Sequence, residues 1–261
     1  MTGLNEADLE SERKEYFRSQ QDSIEKQFSA RRLNTHFCDT INDAQKKMVD
    51  LIEGFCRADG TTKIGFGDSV TLHQIEAFEI IKRMENVEMI NPLERNPDGN
   101  YTIFGDLDDP SLNLPQELYE AKVEKLLDRM RESLLTDIFL ASANALTMDG
   151  KIVSLDGTGN RIAGTIFGPR KVILVIGRNK FVKDLEAAFD RISNYVAPVN
   201  SMRHINKHHM RLGTLPCVQK GECFDCRSER RTCNIWGIIE GATVRNGDRT
   251  HIIIVNEDLG I

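Results

Sequence analysis

Five consecutive apolar residues, Val172, Ile173, Leu174, Val175 and Ile176, lie between Lys171 and Gly177. An amphipathic strand alternates apolar and polar residues; an unbroken apolar run belongs to a strand covered on both faces. Such a strand needs a layer above and below it, so this segment largely sets the fold class. Segments of strand character recur at 62–67, 87–91, 137–142, 151–155, 235–239 and 251–256. Helical periodicity over 40–56, 70–84, 115–135, 181–194 and 200–210 falls between them. Strand–helix alternation predicts an α/β fold, a three-layer α/β/α sandwich with a mainly parallel sheet.

The division expected along the chain is an N-terminal helical extension over 1–33, charged and with a sparse apolar stripe, followed by one domain over 34–261. The proline-rich stretch 92–115 reads as a loop. No apolar run approaches the length of a membrane span, and the acidic start lacks a signal-peptide core, so a cytoplasmic location is expected. The net charge of −6 argues against a general nucleic-acid binder.

Four of the six cysteines form the run Cys217-x5-Cys223-x2-Cys226-x6-Cys233. In a reducing compartment clustered thiols read as metal ligands rather than disulfides. This spacing suits either an iron–sulfur cluster, with 4Fe–4S favoured, or Zn2+, because both take four thiolates. Arg227, Arg230 and Arg231 are placed to offset thiolate charge. Cys38 and Cys56 stand apart and read as small apolar residues.

Two glycine turns follow strands. In the first, Gly67, Asp68, Ser69 and Thr71 open a helix whose free amides favour an anion. In the second, Asp156, Gly157, Thr158, Gly159, Asn160 and Arg161 combine a flexible backbone with a fixed positive charge suited to a carboxylate or phosphate. The alternative readings are a plain helix cap and a tight turn with Arg161 paired to Asp156. Asn144 and Thr147, at the end of the 137–142 strand, face the same crevice or form an ordinary hairpin. His204 and His208 share a helical face as a metal pair or a solvated basic end. Neither a GxSxG elbow nor an HExxH helix occurs, and no catalytic residue is assigned.

The ordered series Gly67-Asp68-Ser69-Val70-Thr71, Ser142 to Thr147, Asp156 to Arg161, Gly168-Pro169, Ala197-Pro198-Val199-Asn200 and Pro216-Cys217 to Cys233-Asn234 resembles the lactate-utilisation (LUD) domain family over 34–261. The cysteine run is similar to that of a stand-alone subgroup. The resemblance implies a fold like that of the sugar-phosphate isomerase and CoA-transferase superfamily, although no counterpart of the transferase glutamate is found. It also implies a link to oxidation of L-lactate or a related 2-hydroxy acid beside iron–sulfur or other redox partner subunits. The expected function is therefore a metal-thiolate protein that binds a small anionic metabolite and relays electrons. The alternative is a non-catalytic metabolite- or subunit-binding module with a structural zinc loop. Homo-oligomerisation is compatible with the sequence.

Overall fold

A computed structural model describes residues 8–95, 101–103, 115–208, 215–229 and 231–261. Most of the 92–115 stretch, together with Arg230, lies outside the described residues. Six strands form one fully parallel sheet: β1 (Asn34–Cys38), β2 (Thr62–Phe66), β3 (Val87–Ile90), β4 (Ile138–Ala141), β7 (Lys171–Gly177) and β10 (Thr250–Val255). Their spatial order is β1-β10-β7-β4-β2-β3. The apolar run expected to be central is β7, paired in parallel with β10 on one side and β4 on the other.

The two faces of β7 divide between two cores. Ile173 and Val175 pack with residues of α2 (Ile41–Phe55), α3 (Val70–Gln74) and α4 (Ala77–Ile81), among them Met48, Leu72 and Ile81. Val172, Leu174 and Ile176 pack on the other side with Phe17, Ile24 and Phe28 of α1 (Glu10–Ala30). The α1 stripe that looks sparse in sequence is thus sufficient, because three large side chains fill one face of the sheet. Alternation along one strand therefore serves two layers, as the lack of a polar face requires.

One feature departs from simple alternation. The segments at 151–155 and 235–239 are not part of the parallel sheet. With β5 (Ala145–Thr147) and β8 (Phe181–Val182), β6 (Ile152–Asp156) and β9 (Ile235–Ile239) form a second sheet in the order β8-β5-β6-β9. β6 runs antiparallel to both β5 and β9. β5 and β6 read as apolar because they too are covered twice. Leu146 and Ile152 join the α1 core, while Ala145 and Val153 pack with Ala188, Ile192 and Val196.

Those last residues lie on a helical stretch made of α7 (Leu185–Arg191), a π-turn at Ile192–Val196 and α8 (Ala197–His208). Pro198 has no N–H to offer the Asn194 carbonyl, which accounts for local widening at this point. α6 (Asn160–Ile166) follows β6 and rests on β4, where its Gly164 meets the Phe139 ring. Among the described residues no helix is long and apolar enough to cross a membrane.

Candidate functional site

Parallel strands direct all their carboxyl ends to one edge of the sheet, and ligand crevices of open α/β folds form there. Here the segments that leave four adjacent strands converge on one amine. Thr71 follows β2, Ser142 follows β4, Lys180 follows β7 and Gly260 follows β10. The Lys180 side chain runs back into the fold and the residue is only 4% exposed. Its Nζ donates to Thr71 Oγ1 at 3.0 Å and to Ser142 Oγ at 2.9 Å. Both hydroxyls are themselves buried. Ser142 Oγ donates its own hydrogen to the Val175 carbonyl at 2.7 Å, so towards Lys180 it acts as an acceptor.

Two guanidinium groups stand beside this amine. Arg161 donates to the Ser142 carbonyl at 3.1 Å, to Asn144 Oδ1 at 3.0 Å and to the Leu155 carbonyl at 2.7 Å. Arg191 donates to the carbonyls of Asn144 at 3.0 Å and Asn179 at 3.2 Å. These partners are neutral. Among the described residues Lys180, Arg161 and Arg191 form no ion pair with a carboxylate. Burial, reinforced by the charges of Arg161 and Arg191, pulls the Lys180 amine from its ordinary 10.5 down to about 7. Burial also lowers Arg191.

The Leu259–Gly260 segment covers the amine. Leu259 N donates to Asn179 Oδ1 at 3.0 Å and Gly260 N donates to Gln74 Oε1 at 2.6 Å. A Cβ at Gly260 would lie 2.7 Å from Lys180 Nζ and 2.5 Å from Thr71 Oγ1, and the backbone φ there is +72°. Only glycine fits that close, left-handed approach.

A sequence model of the LUD domain matches residues 22–255. The chain belongs to the LUD domain family. This family is associated with lactate utilisation. The match begins within α1, the helix whose aromatic residues fill one face of the sheet. No curated protein matches the chain. Among solved structures, a DUF162-family protein from Deinococcus radiodurans is similar over 91% of this chain and 96% of that one, at 10% identity and a TM-score of 0.44.

The glycine turns of this LUD domain sit around the amine, but their internal partners differ from a free anion cradle. Ser69 Oγ caps α3 by accepting from Leu72 N at 3.3 Å, and that helix has only five residues. Asp68 is held in a two-point ion pair with Arg203, both contacts at 3.1 Å. Thr71 reaches Lys180. Gly67 closes against the second turn: a Cβ there would lie 2.8 Å from Arg161 Cγ.

In that second turn the carboxylate of Asp156 accepts from Gly157 N at 2.8 Å, Arg161 N at 3.1 Å and Ile162 N at 3.3 Å. The first-turn amides of α6 therefore already hold an anion supplied by the chain itself. Gly159, at φ +93°, starts α6; Asn160 is its first residue, and Thr158 is exposed. Arg161 turns its guanidinium away from the Asp156 carboxylate and onto the oxygens of Ser142, Asn144 and Leu155. Asp156→Ala is expected to destabilise the fold by about 1–2 kcal/mol through loss of this cap, measurable by urea unfolding. Asn144 Oδ1 bridges Leu155 N, at 2.8 Å, and Arg161. Thr147 belongs to the β5–β6 hairpin, where its Oγ1 accepts from Lys151 N at 2.9 Å and donates to Asp149.

Lys180 is the residue that sequence reasoning missed. The available signal was the polar triplet Arg178-Asn179-Lys180 directly after the central strand.

The thiol loop lies against the second glycine turn. Asn234 N donates to the Asp156 carbonyl at 2.9 Å, and Asn234 Nδ2 to the Gly157 carbonyl at 3.2 Å. All four clustered cysteines are unpaired and half-buried, Cys217 within the short helix α9 (Pro216–Lys220). Burial pushes the Cys233 thiol up; Arg231 opposes this, and the nearby Cys226 and Cys223 add to it. Arg231 also donates to the carbonyls of Cys226 and Cys233. Three of the four thiols are thus electrostatic neighbours. Among the described residues, however, no group of three or more His, Cys, Asp or Glu side chains is drawn together closely enough to hold a metal ion.

Cys38 is buried, its thiol raised to about 11 by desolvation. The His208 side chain lies outside the described residues, which leaves the His204–His208 metal pair there too. A histidine pair without sequence signal sits elsewhere. His36 and His251 stack, with Nε2 and Nδ1 3.1 Å apart.

Proposed function

We propose that this LUD domain acts in the oxidation of L-lactate or a related 2-hydroxy acid by holding the small carboxylate at the strand-end crevice around Lys180. One observation carries the reading. A buried amine between two hydroxyls, with two guanidinium groups beside it and no carboxylate paired to any of the three among the described residues, is a site of concentrated positive potential. In a low-dielectric setting such a site favours an anion. Thr71 and Ser142 hold the amine in place through their hydroxyl oxygens. Arg161 and Arg191, each anchored to carbonyl oxygens by two or three of its five N–H donors, act through their field.

The test is equilibrium binding of L-lactate and pyruvate to the purified chain, followed by thermal shift and ligand-detected NMR. Saturable binding that is lost in Lys180→Met supports the reading; no binding of any small 2-hydroxy or 2-oxo acid at millimolar concentration overturns it.

The thiol loop supports a second role for the same domain. Cys217, Cys223, Cys226 and Cys233 would hold an iron–sulfur cluster or Zn2+, and the observation in its favour is the mutual influence of Cys223, Cys226 and Cys233. A cluster would supply one-electron transfer towards redox partner subunits. Zinc would only stabilise the loop, leaving a non-catalytic binding module. Metal analysis of anaerobically prepared protein separates them: iron with sulfide and a bleachable visible band supports relay, one zinc per chain supports the staple, and metal-free protein with unchanged folding removes both.

A further inference from the structure

We propose that Lys180 is a nucleophilic amine that condenses with the carbonyl of a small 2-oxo acid, the class of product formed when a 2-hydroxy acid is oxidised. This rests on the reading that the crevice takes a small carboxylate, and adds a covalent step to it.

The hydrogen bonds define the reactive form. A neutral lysine amine has two N–H bonds and one lone pair. Two hydroxyl oxygens lie within hydrogen-bond distance of Nζ, and Ser142 has committed its own hydrogen to the Val175 carbonyl. Ser142 Oγ therefore accepts one N–H, while the Thr71 hydroxyl either accepts the other or donates to the lone pair, and both arrangements suit the neutral amine. An ammonium group would leave its third N–H without an acceptor among the described residues, a costly arrangement in a buried site. Desolvation and adjacent cationic groups are the conditions that activate a lysine for carbonyl chemistry. Lys180 meets both, since it is buried beside Arg161 and Arg191.

The step balances without any redox partner. The Nζ lone pair forms a bond to the keto carbon, and the π electrons of the C=O bond move to oxygen. A proton passes from nitrogen to that oxygen, giving a carbinolamine. Loss of water then yields the imine, so amine plus 2-oxo acid gives imine plus water. The positive potential of Arg161 and Arg191 favours the substrate carboxylate next to the new bond. Access requires the Leu259–Gly260 segment to move from the amine; two backbone hydrogen bonds to side chains, from Leu259 to Asn179 and from Gly260 to Gln74, hold it there.

Reductive trapping tests this on the full chain. Pyruvate and cyanoborohydride are added at several pH values, and the protein is digested and mapped by mass spectrometry. The expected result is a carboxyethyl adduct on Lys180, more than about tenfold enriched over the other lysines, because those lysines are almost wholly protonated at neutral pH and react far more slowly. Labelling should rise with pH through a midpoint near 7. Acetone, which lacks the carboxylate, should label Lys180 far less. Adduct spread evenly over surface lysines overturns the inference, as does equal labelling by acetone. The site-by-site map of the wild-type chain does not depend on any variant folding; Lys180→Met, where it folds, should lose the dominant adduct alone. Saturable pyruvate binding without a trapped adduct defeats the covalent step but leaves the carboxylate crevice standing, and absence of both defeats both.

Discussion

Lys180→Met is expected to make the fold least dependent on pH where the wild-type chain depends on it most. In the folded chain the amine loses its proton near pH 7, whereas an unfolded lysine holds its proton to about 10.5. Between those values the unfolded state binds more protons than the folded one. Stability must therefore rise with pH across that window. The destabilising contribution of Lys180 is complete below about pH 7 and vanishes above about 10.5. Its gradient is about 1 kcal/mol per pH unit, and its full extent roughly 3–5 kcal/mol.

Other groups titrate in the same range, so the quantity to measure is the difference between wild type and Lys180→Met. Urea unfolding from about pH 6 to 10 should show that difference shrinking steadily as pH rises. Methionine fills the same space without a charge, and Ser142 keeps its bond to the Val175 carbonyl. Parallel stability curves would mean that the amine is not held neutral by the fold. The same property bears on chemistry: an amine with its midpoint near neutrality is present in both forms under working conditions, which suits a group that gives and takes protons.

How far the sequence discloses this site depends on what kind of information each residue carries. β7 is legible because burial on both faces erases the period-2 pattern, a local property of its own residues. Lys180 is not, because the polar triplet Arg178-Asn179-Lys180 marks a strand end but does not distinguish a buried lysine from an ordinary surface one. Its meaning comes from topology: β10 and β4 must flank β7, with β2 beyond β4, before Gly260, Ser142 and Thr71 can reach it. Arg161 is legible as a fixed charge near the crevice, but its partners are not. Asp156 lies closest to the amides of α6 and binds them, which leaves the guanidinium for more distant carbonyls.

The small second sheet is hidden for a different reason. Its strands β5 and β8 have three and two residues, too short for any periodicity to register. The thiol loop shows the opposite case. Its spacing is plain in the chain, yet spacing alone does not fix how close four sulfurs come.

Phe139→Ala is expected to cost about 3–5 kcal/mol, the usual range for emptying a fully buried aromatic site. Phe139 is in β4 with no exposed surface, and two glycines make room for its ring. A Cβ at Gly164 of α6 would lie 2.5 Å from the ring's far carbon, and one at Gly65 of β2 would lie 3.1 Å from its Cδ2. The ring thus occupies the space that a side chain would take on the facing helix, whereas at Gly65 it is the third neighbour after the Ser133 carbonyl and the Thr136 hydroxyl. Gly164→Ala alone should cost about 1–3 kcal/mol by overpacking, partly offset by the roughly 1 kcal/mol that alanine gains over glycine in a helix.

The double variant is the decisive measurement. With the ring gone, the methyl at 164 enters the vacated space and the overpacking penalty disappears. The combined cost should therefore fall short of the sum of the single costs by about 1–3 kcal/mol. Strict additivity would show that helix and ring are not in contact. The effect should also extend to the crevice. Ser142, which holds Lys180, lies three residues beyond Phe139 on the same chain segment, and α6 carries Arg161. A loosened β4–α6 contact shifts both groups relative to the amine, so the Phe139→Ala chain should show a Lys180 titration displaced towards the ordinary lysine value even where it remains folded.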